Sequence, residues 1–305
     1  MSITVANAPI SYGAFELTVG IDPNVPDGIS ILDEVSRSGY AGIDLGPVGY
    51  LGVGAELGER LAGRDLGLAG AYLEIPYADA AGVDVMLPEL DAMLDTFDAV
   101  APYRRGPAPR PTIADAGSEF RRGNPGRAWQ DRSMGMDEPT WDEFAKGLAR
   151  VVDRCRRRGY EPTFHHETGT FIEAPWEIER LLEVSDVDLC LDTGHFLIGG
   201  GDPLEALRSW RSRINHVHLK DAHQSVMAGI IADGAPTPQI WVREAFPALG
   251  GGDVDVDGIV SELISSDYQG WLVVEQDIMP QTAERFARAA ADQRGNRDYL
   301  AERGI

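Results

Sequence analysis

The sequence predicts a single (β/α)8 barrel, and three observations lead there. Eight short runs of β-branched and apolar residues recur along the chain with segments of helical period between them, the pattern of repeated βα units around a parallel sheet. A length of 305 residues with 43% hydrophobic content supports one large core and matches what one such barrel uses. The first strand is followed by NAPISYGAF, which lacks the glycine-rich phosphate fingerprint of an open doubly wound sheet.

In chain order, the first strand is read in ITVANAP and the first helix in ISILDEVSRSGY, whose apolar residues recur three and four apart. Strands follow in AGIDLG, GLAGAYLEI and RPTIADAG, each leading into a loop and a helical or mixed stretch. TWDEFAKGLARVVDRCRRRGY is a long amphipathic helix that leads into the fifth strand, EPTFHHET. The helix APWEIERLLEV opens on Ala174-Pro175 and the helix DPLEALRSW on Asp202-Pro203, each placing proline in a first turn where its missing N–H costs nothing. Between them lies the sixth strand, VDLCLDTG, and the second of these helices leads into the seventh, INHVHLKD. VDGIVSELISSDY, GWLVVEQD and TAERFARAAADQR complete the series as helix, strand and helix. Gly-Tyr ahead of strands two and five, and DYQG ahead of strand eight, repeat one helix-exit signature.

Two stretches break this rhythm: residues 103 to 137 and residues 222 to 252, both rich in Gly and Pro and poor in periodicity. Loops of that length inside a barrel domain spanning 1–305 are expected to be lids or binding loops, and the second follows the C-terminal end of a strand, where a barrel keeps its active site.

A formal charge of −22, from 49 acids against 27 bases, repels phosphate backbones and anionic surfaces, so nucleic acid and membrane are excluded as partners. Only Cys155 and Cys190 occur, with no disulfide or zinc-knuckle spacing, which indicates a reducing compartment. The N-terminal MSITVANAPISYG has no basic segment followed by a long apolar run. The expectation is a soluble cytoplasmic protein, and assembly into a homo-oligomer is compatible with it.

Chemistry concentrates at the strand ends. Side chains two apart on a strand share a face, which groups Thr163, His165 and Glu167; Asp188, Cys190 and Asp192; His216, His218 and Lys220; and Trp271, Val273 and Glu275. All six histidines, His165, His166, His195, His216, His218 and His223, fall between residues 165 and 223. Imidazoles and carboxylates converging from four strands suit Mn²⁺, Co²⁺, Mg²⁺, Fe²⁺ or Zn²⁺, with no thiolate set to single out zinc. An ionised carboxylate closing an apolar strand, as at Asp192 and Glu275, costs heavily to bury unless it is paired or metal-bound. His166 and His216 read equally as core residues, and Lys220-Asp221 as a salt-bridged strand end.

The motifs HHETGTFIEAPWEIERLL, LCLDTGHFLIGGGDPLEAL, RINHVHLKD and GWLVVEQD, with SGYAGIDLGPVGYLG near the start, resemble the xylose-isomerase-like barrel superfamily of sugar isomerases and epimerases, and within it the inosose dehydratases. The likeness is dense from 160 to 221 and around 270 to 277, and thin from 103 to 137. It implies one divalent ion, Mn²⁺ first, at the C-terminal mouth of the barrel, with Asp192, His218 and Glu275 as ligands. Many relatives carry Glu-x-His where this chain has His165-His166-Glu167, so by position His165 takes the first ligand's place and Glu167 faces the substrate, although the shared face permits the reverse. Where relatives read GEGDVD, this chain has Gly250-Gly251-Gly252-Asp253 and lacks the Glu.

The resemblance implies a lyase acting on a polyhydroxylated cyclic ketone, an inosose-like keto-sugar or polyol, through an enediolate. Glu167, His195 and Lys220 are the candidates for proton transfer, and His166, His216, Trp241 and Arg243 for substrate contact, Arg243 serving either task. A carboxylate beside a cation has a depressed pKa, so Glu167 is expected ionised. A ketose isomerase or 3-epimerase would use the same site. A lyase of C-glycosides and a non-catalytic sugar-binding barrel are the further alternatives.

Overall fold

A computed structural model describes residues 3–279 and 282–305; Met1 and Ser2 of the N-terminal stretch read above lie outside them. All eight expected strands are present, within tighter bounds. They are β1 (Thr4–Asn7), β2 (Gly42–Ile43), β3 (Gly67–Leu68, continuing after Ala69 as Gly70–Ile75), β4 (Arg110–Asp115), β5 (Thr163–His165), β6 (Asp188–Asp192), β7 (Ile214–Leu219) and β8 (Trp271–Val274). Each pairs in parallel with its sequence neighbours, and β8 pairs with β1. The two halves of β3 serve different partners, the first β2 and the second β4. Ala69 bridges them by donating to the Ile43 carbonyl and accepting from the Arg110 amide, so the barrel closes.

Six expected helices form: α1 (Gly28–Arg37), α5 (Glu138–Arg157), α6 (Pro175–Val184), α8 (Pro203–Ser209), α11 (Val256–Ser265) and α12 (Ala283–Ala301). Aspartates cap several of them, Asp137 accepting from the Thr140 amide at 2.9 Å and Asp202 from Leu204 at 2.9 Å. Helix α5 shows why the periodicity was informative: Trp141, Phe144, Leu148, Val151, Val152 and Cys155 form one stripe buried against the barrel.

The periodicity did not identify α2 (Gly54–Ala62) or α3 (Ala80–Val100). Pro88 lies inside α3, where a proline normally ends a helix, but burial of Leu90, Met93, Leu94, Phe97 and Val100 carries the helix through it.

The two aperiodic stretches also hold more order than expected. Besides the expected β4, the first contains the short α4 (Glu119–Arg122); the second contains α9 (Gln224–Ala232) and α10 (Pro238–Val242). Helix α9, QSVMAGIIA, is apolar nearly all round and therefore shows little amphipathic pattern in sequence. The remaining short helix, α7 (Thr193–Ile198), begins directly at the end of β6.

Inside the barrel, the Trp271 indole plugs the N-terminal end. Its Nε1 donates to the Pro107 carbonyl at 3.1 Å, and a Cβ on Gly42 or Gly67 would fall 2.6 or 3.0 Å from the ring. A register shift between β6 and β7 pairs Leu189 with Ile214 but Cys190 with His216. This irregularity brings His216, His218 and Lys220 into phase with Cys190 and Asp192 on the interior face. Both cysteines are free and buried. Among the described residues no helix is long and apolar enough to cross a membrane.

Candidate metal centre and acid–base cluster

Asp192 is the last residue of β6 and also the N-cap of α7, and the two roles explain its position. Its Oδ1 accepts the His195 amide at 2.9 Å, which starts the helix and turns the His195 ring toward the mouth. Its Oδ2 points inward, 3.0 Å from Lys220 Nζ, 3.4 Å from His165 Nε2 and 3.8 Å from His218 Nδ1. Glu275, just past β8, places Oε2 3.0 Å from His218 Nδ1 and 3.1 Å from Lys220 Nζ.

His165, Asp192, His218 and Glu275 thus converge, each offering one ligand atom within 4.8 Å of the others, and all four are buried. Glu167 is not part of that set. Asp192 Oδ2, His165 Nδ1 and both ring nitrogens of His218 are buried and make no hydrogen bond. Two nitrogens and two oxygens at closing distance form a donor set that fits a divalent cation of intermediate softness.

Beside this quartet lies a proton-transfer cluster. His195 Nε2 is 3.1 Å from Glu167 Oε1 and 3.4 Å from Asp277 Oδ2, while its Nδ1 is 2.8 Å from Thr168 Oγ1. Lys220 Nζ sits 2.9 Å from Asp277 Oδ1 and 5.0 Å from the Phe246 ring centre. The electrostatics follow from these contacts. Burial favours the neutral forms, pushing the Glu167 carboxyl up to about 8 and the His165 imidazole down to about 4. The ionised Glu167 expected beside a bound cation is a different state: in the ion-free protein, desolvation outweighs the neighbouring His195 and Lys220. Burial also works against ionised Asp192 and Glu275, but Lys220 with His195 beside the first, and His218 with Lys220 beside the second, hold both below the usual carboxylate range.

The remaining sequence candidates lie farther from this centre. His166 points outward from the barrel interior, its Nε2 accepting the Asp192 amide at 3.2 Å and its ring packed on Phe196. His216 lies one layer below His218 with both ring nitrogens buried and unbonded. Trp241, in α10, stacks at a tilt on Phe15 with ring centres 5.7 Å apart. Arg243 is exposed and pairs with Asp233 at 2.7 Å. Asp221 forms no salt bridge with Lys220; its carboxylate instead accepts the amides of Ala222, Gly250, Gly252 and Val254, clamping the GGGD turn. The segment 222 to 252 reaches the site through Phe246, whose ring lies 5.0 Å from that of His195.

Sequence reasoning missed Asp277, Thr168 and Asp44. Asp277 was accessible by the same parity that selected Glu275, two residues earlier. Asp44 directly follows β2 and approaches His218 Nε2 at 3.7 Å, a contact between distant strands that no local pattern encodes. A cavity of about 450 Å³, lined in part by Arg110, Arg211, Asn215 and Trp271, opens at the opposite, N-terminal end of the barrel, away from this chemistry.

The chain is similar to several known proteins. Over 263 residues the chain is 28% identical to an inosose dehydratase of Geobacillus kaustophilus, covering 85% of this chain and 83% of that protein. An inosose dehydratase of Lactiplantibacillus plantarum is 26% identical over 299 residues, 97% of this chain and 95% of the other. Among solved structures, a probable 3-DHS dehydratase from Bacillus anthracis superposes with a TM-score of 0.66 at 12% identity, covering 98% of this chain and 99% of that one. The IOLI protein with a binding zinc atom superposes with a TM-score of 0.67 at 15% identity, covering 97% and 98%. The family model described as xylose isomerase-like TIM barrel matches residues 114–295, the span that carries β5 to β8 and every member of the quartet, and the chain belongs to that family.

Proposed function

We propose that the chain is a divalent-metal-dependent lyase that dehydrates a polyhydroxylated cyclic ketone of the inosose type. The observation that carries this reading is the buried quartet of His165, Asp192, His218 and Glu275 with the Glu167–His195 pair beside it. The relatives named inosose dehydratase, matched over most of both chains, support the choice of substrate class. When bound by the quartet, a divalent ion, Mn²⁺ foremost, would supply Lewis-acid polarisation of a carbonyl.

The chain's own residues divide the remaining work. In its ionised form, Glu167 Oε1 accepts the proton α to the carbonyl, and the C–H electron pair moves into the new double bond. The β C–O bond breaks, and its oxygen leaves as water after taking a proton from His195. Thr168 Oγ1 holds His195 Nδ1, which leaves Nε2 facing Glu167 and the reacting centre. Asp277 keeps the Lys220 ammonium beside the same carboxylates, where it offsets their charge. Phe246 covers His195 and Lys220 and excludes water from them.

The test is product analysis of Mn²⁺-loaded protein against a panel of keto-inositols and ketoses. Loss of one water from a keto-inositol is the expected result. An epimer or isomer of equal mass would assign the chain to the isomerase and epimerase branch, and no conversion of any member would overturn the reading. Glu167→Gln should retain one equivalent of metal and lose turnover, whereas His165→Gln should weaken metal binding first; the opposite pattern exchanges the two roles.

A further inference from the structure

The stretch from 116 to 137 carries a fully buried guanidinium. Arg121, in α4, has no exposed surface. Its Nη1 donates to Glu177 Oε1 at 2.6 Å and to the Met134 carbonyl at 3.2 Å, and its Nη2 donates to Glu173 Oε2 at 3.0 Å and Glu177 Oε2 at 3.1 Å. Apolar residues of similar volume would hold a loop down as well as a buried ion triad does, or better. They would not offer acceptors, and acceptors are what Glu173 provides beyond the ion pair. Its Oε1 takes the Gly126 amide at 2.6 Å and the Gly169 amide at 3.1 Å.

Gly169 belongs to the turn that presents the acid–base pair. With φ at +88° it adopts a conformation that favours glycine, and a Cβ there would fall 2.3 Å from Thr237 Oγ1. The turn is closed by the Glu167 amide donating to the Ile172 carbonyl at 3.1 Å and by Thr170 Oγ1 donating to the Glu167 carbonyl at 2.8 Å. Glu167 and Thr168, both in contact with the His195 ring, sit at its start. The brace extends further, because Thr237 donates to the Arg122 carbonyl, next to Arg121, at 2.8 Å.

We propose that Arg121 is a positioning residue which, through Glu173 and the Gly169 amide, fixes the Glu167–Thr168 turn and so aligns Glu167 with His195. This rests on the assignment of proton transfer to Glu167 made above. A group displaced by about 1 Å can lose about 10²-fold in rate, which is the scale of effect a brace of this kind controls.

The test compares Arg121→Met and Glu173→Gln with the wild-type protein by three readouts: Mn²⁺ content, amide hydrogen exchange, and kcat with KM on a keto-inositol. The expected result is one retained equivalent of Mn²⁺, a fall in kcat of about 10²-fold with KM within about threefold, and faster exchange confined to the peptide 166–172. Arg121→Lys, which keeps the charge but not the fork, should recover part of kcat. Wild-type kcat and wild-type protection of 166–172 in both variants would overturn the proposal. So would loss of protection across the β6 and β7 peptides with loss of metal, since that marks a general folding role. If Arg121→Met does not fold, Glu173→Gln decides by the same criteria. If the wild-type protein converts no keto-inositol, the proton-transfer reading fails, and the exchange pattern still decides whether Arg121 holds the turn.

Discussion

Replacing Asp192 by asparagine separates metal binding from folding at the centre of the site. Asparagine preserves the Oδ1 acceptor that caps α7 through the His195 amide, so the strand-to-helix turn survives. The change falls on Oδ2, which becomes an amide that cannot ligate a cation. In the ion-free protein the attraction lost is that to Lys220 at 3.0 Å, about 5.5 kcal/mol at an effective dielectric of about 20. That figure is a ceiling, because Asp277 at 2.9 Å and Glu275 at 3.1 Å still hold the ammonium and one carboxylate fewer crowds the site. A net destabilisation of about 1–3 kcal/mol is expected, below the range of about 3–5 kcal/mol for a buried charge left with no partner. Metal binding should suffer far more, since even outer residues that only orient a ligand are worth about 10–100-fold in affinity. Calorimetric titration with Mn²⁺ should show a loss of at least about 10²-fold, while urea unfolding in EDTA shows the smaller change. One equivalent bound with Kd within about threefold of wild type would refute the assignment of Asp192 as a ligand.

Loading with Mn²⁺ to about 100 times its Kd should raise the unfolding free energy by about 2.7 kcal/mol and EDTA should reverse this; a melting temperature indifferent to every divalent ion would count against the quartet. Burial pushes the Asp115 carboxyl up to about 6, against the amides of Phe171 and Gly117. A raised folded-state pKa means that this contribution is present below the unfolded value and lost as pH rises through 6. Relative to Asp115→Asn, wild type should therefore gain up to about 3 kcal/mol in urea unfolding between about pH 7.5 and pH 4, and parallel pH profiles would refute this. Trp271→Ala should cost about 3–5 kcal/mol by emptying the barrel's N-terminal plug while sparing Mn²⁺ binding, and a loss of metal equal to that of Asp192→Asn would contradict the separation of plug and site.

Much of this architecture is legible in the chain alone, for a definite reason. Side-chain parity along a strand is local, so the faces of β5 to β8 could be read with no partner strand known; they hold His165, Asp192, His218 and Glu275 among other groups, and the family resemblance singled out these four. Amphipathic stripes are local as well, which is why α5 was evident while α3, with Pro88 inside it, and the uniformly apolar α9 were not. The composition of 222 to 252 indicated a loop at the mouth, but it pointed to Trp241 and Arg243 and not to Phe246, the residue that reaches His195.

The sequence by itself determined the eightfold alternation, the inward parity of each strand and the set of groups able to bind a cation, because each depends on residues within a few positions of one another. Tertiary structure alone decided three other matters. The shift between Leu189 and Cys190 brings β7 into phase with β6, and this belongs to the pairing of two strands. The ionisation of Glu167 depends on how much water the closed barrel removes from it, and desolvation there overrides what its neighbours would predict. The Arg121–Glu173–Glu177 brace joins groups 52 and 56 positions apart, and its geometry exists only once the barrel has brought α4 and the start of α6 together.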